Sequence, residues 1–146
     1  MKRALVVVVI GLALGACGGD GEESIPKDDY LERARVICRE GNEDLAEATQ
    51  EAFKDVKQGE QPTAEQLETY AKDVVVPKVR QQVEDLRNLP DPKDAADQVE
   101  EIYDSFEKTL DRIDAQPSLL TDNPNLSELF KEADDLSRKY GFPVCT

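Results

Sequence analysis

Apolar residues recur every three or four positions over most of the chain, from about residue 28 to residue 140. This spacing is close to the 3.6-residue period of a helix and places the apolar side chains on one helical face, whereas a half-buried strand needs a period of two. No segment alternates with a period of two for long enough to predict a strand. The sequence therefore predicts an all-α fold, a bundle of four amphipathic helices.

The first predicted helix runs from about Asp28, a plausible N-cap, to Val56, with Gly59 as its stop signal. Gly41 lies within it at a cost of about 1 kcal/mol relative to alanine, and would permit the C-terminal segment to approach closely. The apolar face of this helix consists of Leu31, Ala34, Cys38, Leu45, Ala48, Ala52 and Val56.

The second predicted helix begins at Thr63, which forms a capping-box pattern with Glu65 and Gln66. Pro77 removes one backbone hydrogen bond from its interior and predicts a kink, which fits a bend around the core better than a functional hinge. The apolar face consists of Leu67, Ala71, Val75, Val79, Val83 and Leu86.

The third predicted helix is capped by Asp91, with Pro92 in its first position, and the short link before it makes it an antiparallel neighbour of the second. Its apolar residues are Ala96, Val99, Tyr103, Phe106, Leu110 and Ile113. After a polar link at residues 121–124, the fourth helix is capped by Asn125 and ended by Gly141. It buries Leu126, Leu129, Phe130, Ala133, Leu136 and Tyr140.

Residues 1–16 have the pattern of a lipoprotein signal peptide. Lys2 and Arg3 precede an apolar segment, 4–14, that is shorter than the ~20 residues needed to span a bilayer. The segment ends in Leu-Gly-Ala-Cys, which resembles a bacterial lipobox and predicts that Cys17 becomes the lipidated N-terminus. An ordinary signal peptide containing a cysteine and a retained membrane helix are the alternatives. Two acyl chains on Cys17 would hold the protein stably on a membrane.

Residues 17–27, rich in glycine and acid, are predicted to form a flexible tether to a helical domain at residues 28–146. Without Lys2 and Arg3, sixteen basic residues remain against thirty-two acidic ones, a formal side-chain charge of −16. This balance argues against nucleic acid as a partner and against a polybasic attachment to anionic lipid. The predicted membrane contact is therefore the N-terminal lipid.

Cys38 and Cys145 remain once Cys17 carries lipid. In an exported protein, two such cysteines most simply form one disulfide. It would close a loop of about a hundred residues and contribute about 4–5 kcal/mol in the chain-entropy model. A reactive redox pair is the alternative, although there is no C-x-x-C spacing to favour it.

Catalytic and cofactor-binding signals are weak throughout. The chain has no histidine, so the commonest general base and metal ligand is absent, and Met1 is its one methionine. No glycine-rich phosphate loop follows a predicted strand. The prediction is a protein without catalytic residues, metal or cofactor.

An acidic stripe marks the third helix, where carboxylates recur at spacings of three and four residues. Like charges at this spacing repel by a few tenths of a kcal/mol per pair, so something should neutralise them. Arg80 and Arg87, with Lys108 and Arg112, are intramolecular candidates, and a basic envelope protein or Ca²⁺ are external ones. A straight helix face does not converge the six or more oxygens that Ca²⁺ prefers. The stripe consists of Asp97, Glu100, Asp104, Glu107, Asp111 and Asp114.

Several segments together resemble small secreted or lipid-anchored actinobacterial helical proteins of unassigned function. The first helix reads Tyr30-Leu31 through Val36-Ile37-Cys38-Arg39-Glu40, followed by Asn42; the second contains Val76-Pro77; the turn Leu86 to Asp94 has the form L..LP.P.D; and the end reads Tyr140-Gly141 to Cys145. The resemblance covers about residues 28–146 and implies an all-helical domain with Cys38 bonded to Cys145. It implies no activity, and Gly41 stands where the family pattern has alanine.

These observations predict a lipid-anchored protein on the extracytoplasmic face of the cell membrane. The first functional hypothesis is a non-catalytic interaction module of the cell envelope. The second is a binding protein for a small or lipid-like ligand held between the helices, which would require an apolar cavity of several hundred Å³. An enzyme is a weaker hypothesis, because no converging catalytic groups are marked.

Overall fold

The computed structural model describes residues 24–123 and 125–142, and these residues are mostly helical and contain no strand. The all-α prediction is confirmed. The predicted signal peptide, Cys17 and Cys145 lie outside the described residues. The helices are α1 Lys27–Ala52, α2 Ala64–Tyr70, a π-helical turn at Ala71–Val75, α3 Val76–Arg87, α4 Ala96–Ala115, α5 Leu119–Asp122, α6 Leu126–Leu129 and α7 Lys131–Tyr140.

The core is built around α3 and α4. Helix α3 packs against α1 on one side and α4 on the other, while α7 packs on α4. On α4 the predicted apolar face is confirmed from Val99 to Ile113, and Ile102 is buried beside it although the spacing did not include it. Ala96, the first residue of the predicted face, is only half-buried.

Helix α1 begins where the sequence predicts, but its cap differs. Pro26 occupies the N-cap position without a side-chain cap, and Asp28 lies in the first turn, where a carboxylate is favoured by the helix dipole. The prediction of Asp28 as cap is wrong because the chain already enters the helix after Pro26. The helix ends at Ala52, four residues before Val56, and no residue of its last turn is fully buried.

The capping box at the start of α2 is confirmed. The Thr63 amide donates to Gln66 Oε1 at 2.9 Å, and the Gln66 amide donates to Thr63 Oγ1 at 3.2 Å. Pro77 is the second residue of α3, directly after the π-helical turn. Proline has no amide to donate to the carbonyl four residues earlier, so the irregularity predicted at this position takes the form of a wider turn.

The loop before α4 departs from the prediction. Asp91 and Pro92 do not begin the helix, which starts at Ala96. Instead, the Ile25 amide donates to the Asp91 carbonyl at 2.9 Å, and the Lys93 amide donates to the Ile25 carbonyl at 2.8 Å. Pro92 is buried under this pairing, which a local capping signal cannot reveal. The end of the predicted tether therefore belongs to the folded body.

The fourth predicted helix is divided into α6 and α7 at Phe130. This residue is buried, and its ring centroid lies 5.7 Å from that of Phe106 on α4. The predicted cap is confirmed, because Asn125 Oδ1 accepts from the Ser127 amide at 3.2 Å. The side chain of Leu126 lies outside the described residues.

The C-terminal part of the chain also contains the end of α7 and the short helix α5. Gly141 ends α7 as predicted, with φ of 85°, and the Phe142 amide donates to the Ser137 carbonyl at 2.8 Å as in a Schellman motif. Helix α5 overlaps the start of the polar link predicted at residues 121–124, and it buries Leu120.

Candidate interaction surfaces

The acidic stripe of α4 lies beside α3, and Arg87 at the end of α3 binds three of its members. Arg87 Nη2 donates to Glu100 Oε1 at 2.8 Å and to Asp104 Oδ1 at 2.9 Å, and Nη1 bonds to Glu107. One guanidinium, with its several N–H donors in a fixed plane, therefore bridges two turns of like charge.

The environment of Arg87 strengthens this pairing. The side chain is 28% exposed, and the guanidinium carbon lies 5.4 Å from the centre of the Tyr103 ring. Partial burial on its own lowers the pKa of Arg87, but the hydrogen bonds and charges of Glu100 and Glu107 outweigh it and hold the pKa above its ordinary value. The cation is therefore fixed in place and permanently charged.

Arg80, which lies two helical turns before Arg87 on α3, pairs with a fourth member of the stripe. Its Nη2 lies 2.6 Å from Asp111 Oδ1. Lys108 instead contacts Glu132 of α7 at 3.3 Å. Within the described chain, no basic side chain lies within 4.0 Å of the two end members, Asp97 and Asp114.

Arg80 and Arg87 support an intramolecular origin for the charge balance of the stripe. Arg112 makes no ion pair with the stripe in the described part of the chain. Four of the six carboxylates of the stripe are already held by arginines of the protein itself, which makes the stripe a weaker candidate for the surface that attracts a basic partner.

Cys38 is buried on the face of α1 that meets α3. The neighbouring Gly41 admits a side chain of α3, because a Cβ there would lie 2.2 Å from Gln82 Nε2. Gln82 Nε2 donates to the Cys38 carbonyl at 3.1 Å. The close approach expected at Gly41 is therefore made by α3; the C-terminal segment at 143–146 lies outside the described residues.

A buried aromatic cluster lies at the N-terminal end of α1. The hydroxyls of Tyr30 and Tyr103 hydrogen-bond to each other, and burial raises the pKa of both phenols, so both stay protonated at neutral pH. The Phe142 ring lies 6.0 Å from that of Tyr30. Lys27 Nζ donates to the Tyr140 carbonyl at 2.6 Å, which ties the start of α1 to the end of α7.

Two adjacent aspartates of α7 have opposite surroundings. Asp134 is 5% exposed, its Oδ1 has no hydrogen-bond partner among the described residues, and burial raises its pKa. Asp135 is exposed and accepts hydrogen bonds from Lys131 and Arg138, each at 2.6 Å, which lower its pKa.

The surface carries open pockets with charged linings. One of about 330 Å³ lies between α1 and α3 and includes Asp44, which pairs with Lys78 at 3.8 Å. A second, of about 270 Å³, lies between α1, α2 and the π-helical turn, and we call it the distal cleft. The distal cleft is lined by Ala52, Glu65, Gln66, Thr69, Tyr70, Asp73 and Val74. Sequence reasoning missed this cleft because its residues come from elements whose packing no local pattern reveals.

The described residues contain neither a metal-binding group nor a membrane-spanning helix. No group of three or more histidine, cysteine, aspartate or glutamate side chains there could hold a metal ion. None of the helices in this part of the chain is both long enough and apolar enough to cross a bilayer.

No family model matches the chain, and no curated protein or solved structure gives a significant match. Function is therefore inferred from the core, the surface charges and the pockets described above.

Proposed function

We propose that this protein is an extracytoplasmic lipoprotein, lipidated on Cys17, whose helical domain is a non-catalytic interaction module of the cell envelope. One observation supports surface binding over a ligand held between the helices. The space between α1, α3, α4 and α7 is packed with large side chains such as Tyr30, Ile102 and Leu110, whereas the pockets described above lie at the surface and include charged residues. A lipid-like ligand would need an apolar interior cavity.

The pairing of Ile25 limits how far the folded body can lie from the proposed lipid. Because Ile25 is hydrogen-bonded to the loop before α4, only residues 18–24 separate the folded body from the proposed lipid. Eight residue steps span at most about 28 Å when fully extended. The N-terminal end of α1 would thus stay close to the membrane surface.

We further propose that a disulfide joins Cys38 to Cys145 and completes a four-helix bundle of α1, α2–α3, α4 and α6–α7. Phe142 packs beside Tyr30, which precedes Cys38 by eight residues or about 12 Å of helix. Three further residues can extend about 10 Å, so Cys145 is within reach of the 4.4–6.8 Å that a disulfide typically requires between Cα atoms.

Intact-mass spectrometry of the membrane-extracted protein tests the anchor and the disulfide together. We expect a chain that begins at Cys17, carries diacylglycerol and fatty acid, and gains two hydrogens on reduction. Cys17→Ala is the control for the anchor and should yield protein without lipid. A wild-type chain that lacks lipid, or one that has two free thiols, would contradict the corresponding proposal.

A further inference from the structure

The distal cleft is held in shape by contacts between α1 and α2. Tyr70 Oη lies 2.8 Å from Thr49 Oγ1, and Thr49 Oγ1 also donates to the Leu45 carbonyl at 2.6 Å. The Tyr70 ring centroid lies 4.9 Å from that of Phe53. One wall of the cleft is therefore an aromatic ring whose position is fixed from two sides.

The lining combines apolar surface with two carboxylates. Tyr70 and Val74 are half-buried, Ala52 is exposed, and Glu65 and Asp73 are exposed beside them. A lysine or arginine side chain has this same division, with an apolar stem and a charged end. The face of an aromatic ring adds attraction for such a cation.

The carboxylates of the distal cleft lack a counter-ion among the described residues. In the part of the chain that the structure describes, no lysine or arginine lies within 4.0 Å of Glu65 or Asp73. The acidic stripe on α4, by contrast, has Arg80 and Arg87. On α2, which carries Glu65, Glu68 is a further exposed carboxylate. The charge of this region is therefore complementary to a cationic partner.

We propose that the distal cleft is the docking site for a lysine or arginine side chain in a basic, amphipathic segment of a partner protein. This inference rests on the proposed function and specifies where the interaction module binds and which chemistry it recognises. The cleft lies at the C-terminal end of α1, a helix of 26 residues and about 39 Å, and so at the end remote from the proposed anchor.

Binding of a defined probe by the full mature lipoprotein in detergent tests the proposal. The probe is a fluorescein-labelled octapeptide of alternating arginine and leucine, followed by fluorescence anisotropy. Glu65→Gln with Asp73→Asn should weaken binding about five- to tenfold, the size expected for two exposed ion pairs. The matched control is Glu43→Gln with Glu47→Gln, which removes the same charge from α1 outside the cleft and should change binding less than about twofold. Equal weakening by both double variants, or no binding by the wild type, would overturn the proposal.

A second measurement separates this inference from the proposed function. A photo-crosslinking amino acid is placed at Thr69, inside the distal cleft, or at Glu43, outside it, in protein expressed in its native membrane. We expect adducts from Thr69 whose cross-linked peptide, identified by mass spectrometry, is rich in lysine or arginine. Adducts from Glu43 but not Thr69 would overturn the cleft and leave the interaction module standing. A lack of adducts from both positions would count against the module as well.

Discussion

The acidic stripe of α4 and the distal cleft both present carboxylates, but they differ in what faces them. On α4, Glu100, Asp104 and Glu107 share one guanidinium from α3. In the distal cleft, Glu65 and Asp73 face apolar side chains and no cation among the described residues. A regular run of charge in a sequence is therefore a poor guide to a binding surface, because the packing of helices decides which charges are already paired.

Among these variants, the loss of Arg87 should have the largest effect on the free energy of unfolding. Arg87→Met keeps most of the side-chain volume but leaves three carboxylates without their shared cation, and we expect a loss of about 2 kcal/mol in the free energy of unfolding. Urea denaturation at low salt measures it. Arg35→Met, which removes an exposed arginine of α1 with no ion pair among the described residues, is the matched control and should cost less than about 0.5 kcal/mol. Equal losses in the two variants would mean that the stripe is not neutralised by Arg87.

Asp134 extends the comparison to a carboxylate that is both unpaired and buried. Its raised pKa means that the folded state holds the proton more tightly than the unfolded chain, so stability falls as the pH rises from the ordinary value of 3.8 through the raised pKa. Asp134→Asn removes this loss and should stabilise the protein by about 1 kcal/mol at pH 7, with no gain below pH 3. Thermal melts across this pH range test it.

The neighbouring Asp135 provides a control of opposite sign. Its pKa is lowered by Lys131 and Arg138, so its contribution to stability is present above the ordinary pKa and is lost as the pH falls through the lowered one. Asp135→Asn should therefore destabilise the protein slightly at pH 7 and have no effect at low pH. Parallel behaviour of the two variants would contradict the assigned environments.

The ion pair between Arg80 and Asp111 should contribute less than the Arg87 cluster. Both side chains are well exposed, at 43% and 73%, and solvent screens their attraction. Asp111→Asn should therefore change the free energy of unfolding by at most about 0.5 kcal/mol, and added salt should abolish the difference. A double-mutant cycle with Arg80→Met isolates the pairwise energy.

The smallest effect on stability is expected in the distal cleft. Because Glu65 and Asp73 are exposed and have no counter-ion among the described residues, Glu65→Gln with Asp73→Asn should alter the free energy of unfolding by less than about 0.5 kcal/mol, as measured by urea denaturation. A larger loss would show that these carboxylates stabilise the fold and are not held free for a partner.

The sequence predicted the all-α class, the apolar face of α4 and both neutralising arginines of α3, because helical spacing determines which residues share a face. It failed where contacts distant in sequence decide the outcome. Pro92 fits a helix start by local rules, but pairing with Ile25 displaces α4 to Ala96. Likewise nothing in the local pattern at Phe130 shows that its packing on Phe106 divides the last helix.

The distal half of α1 shows a second limit of prediction from apolar periodicity. Leu45, Ala48 and Ala52 continue the periodic pattern of Leu31, Ala34 and Cys38, yet none of the three is fully buried. Periodicity states which face points inward; it does not state how far the neighbouring helices extend. The distal cleft exists because α2 and the π-helical turn cover this part of α1 only partly.

The pairing of Ile25 also determines how the protein would respond to mechanical force. If the chain is held by a lipid upstream of Ile25, a pull on that lipid loads the two hydrogen bonds to the loop before α4 first. The hydrogen bond from Lys27 to the Tyr140 carbonyl lies two residues further along the chain, and it would be the next of these contacts to resist the pull. A partner held at the distal cleft would complete the path of the force, because α1 joins the two ends.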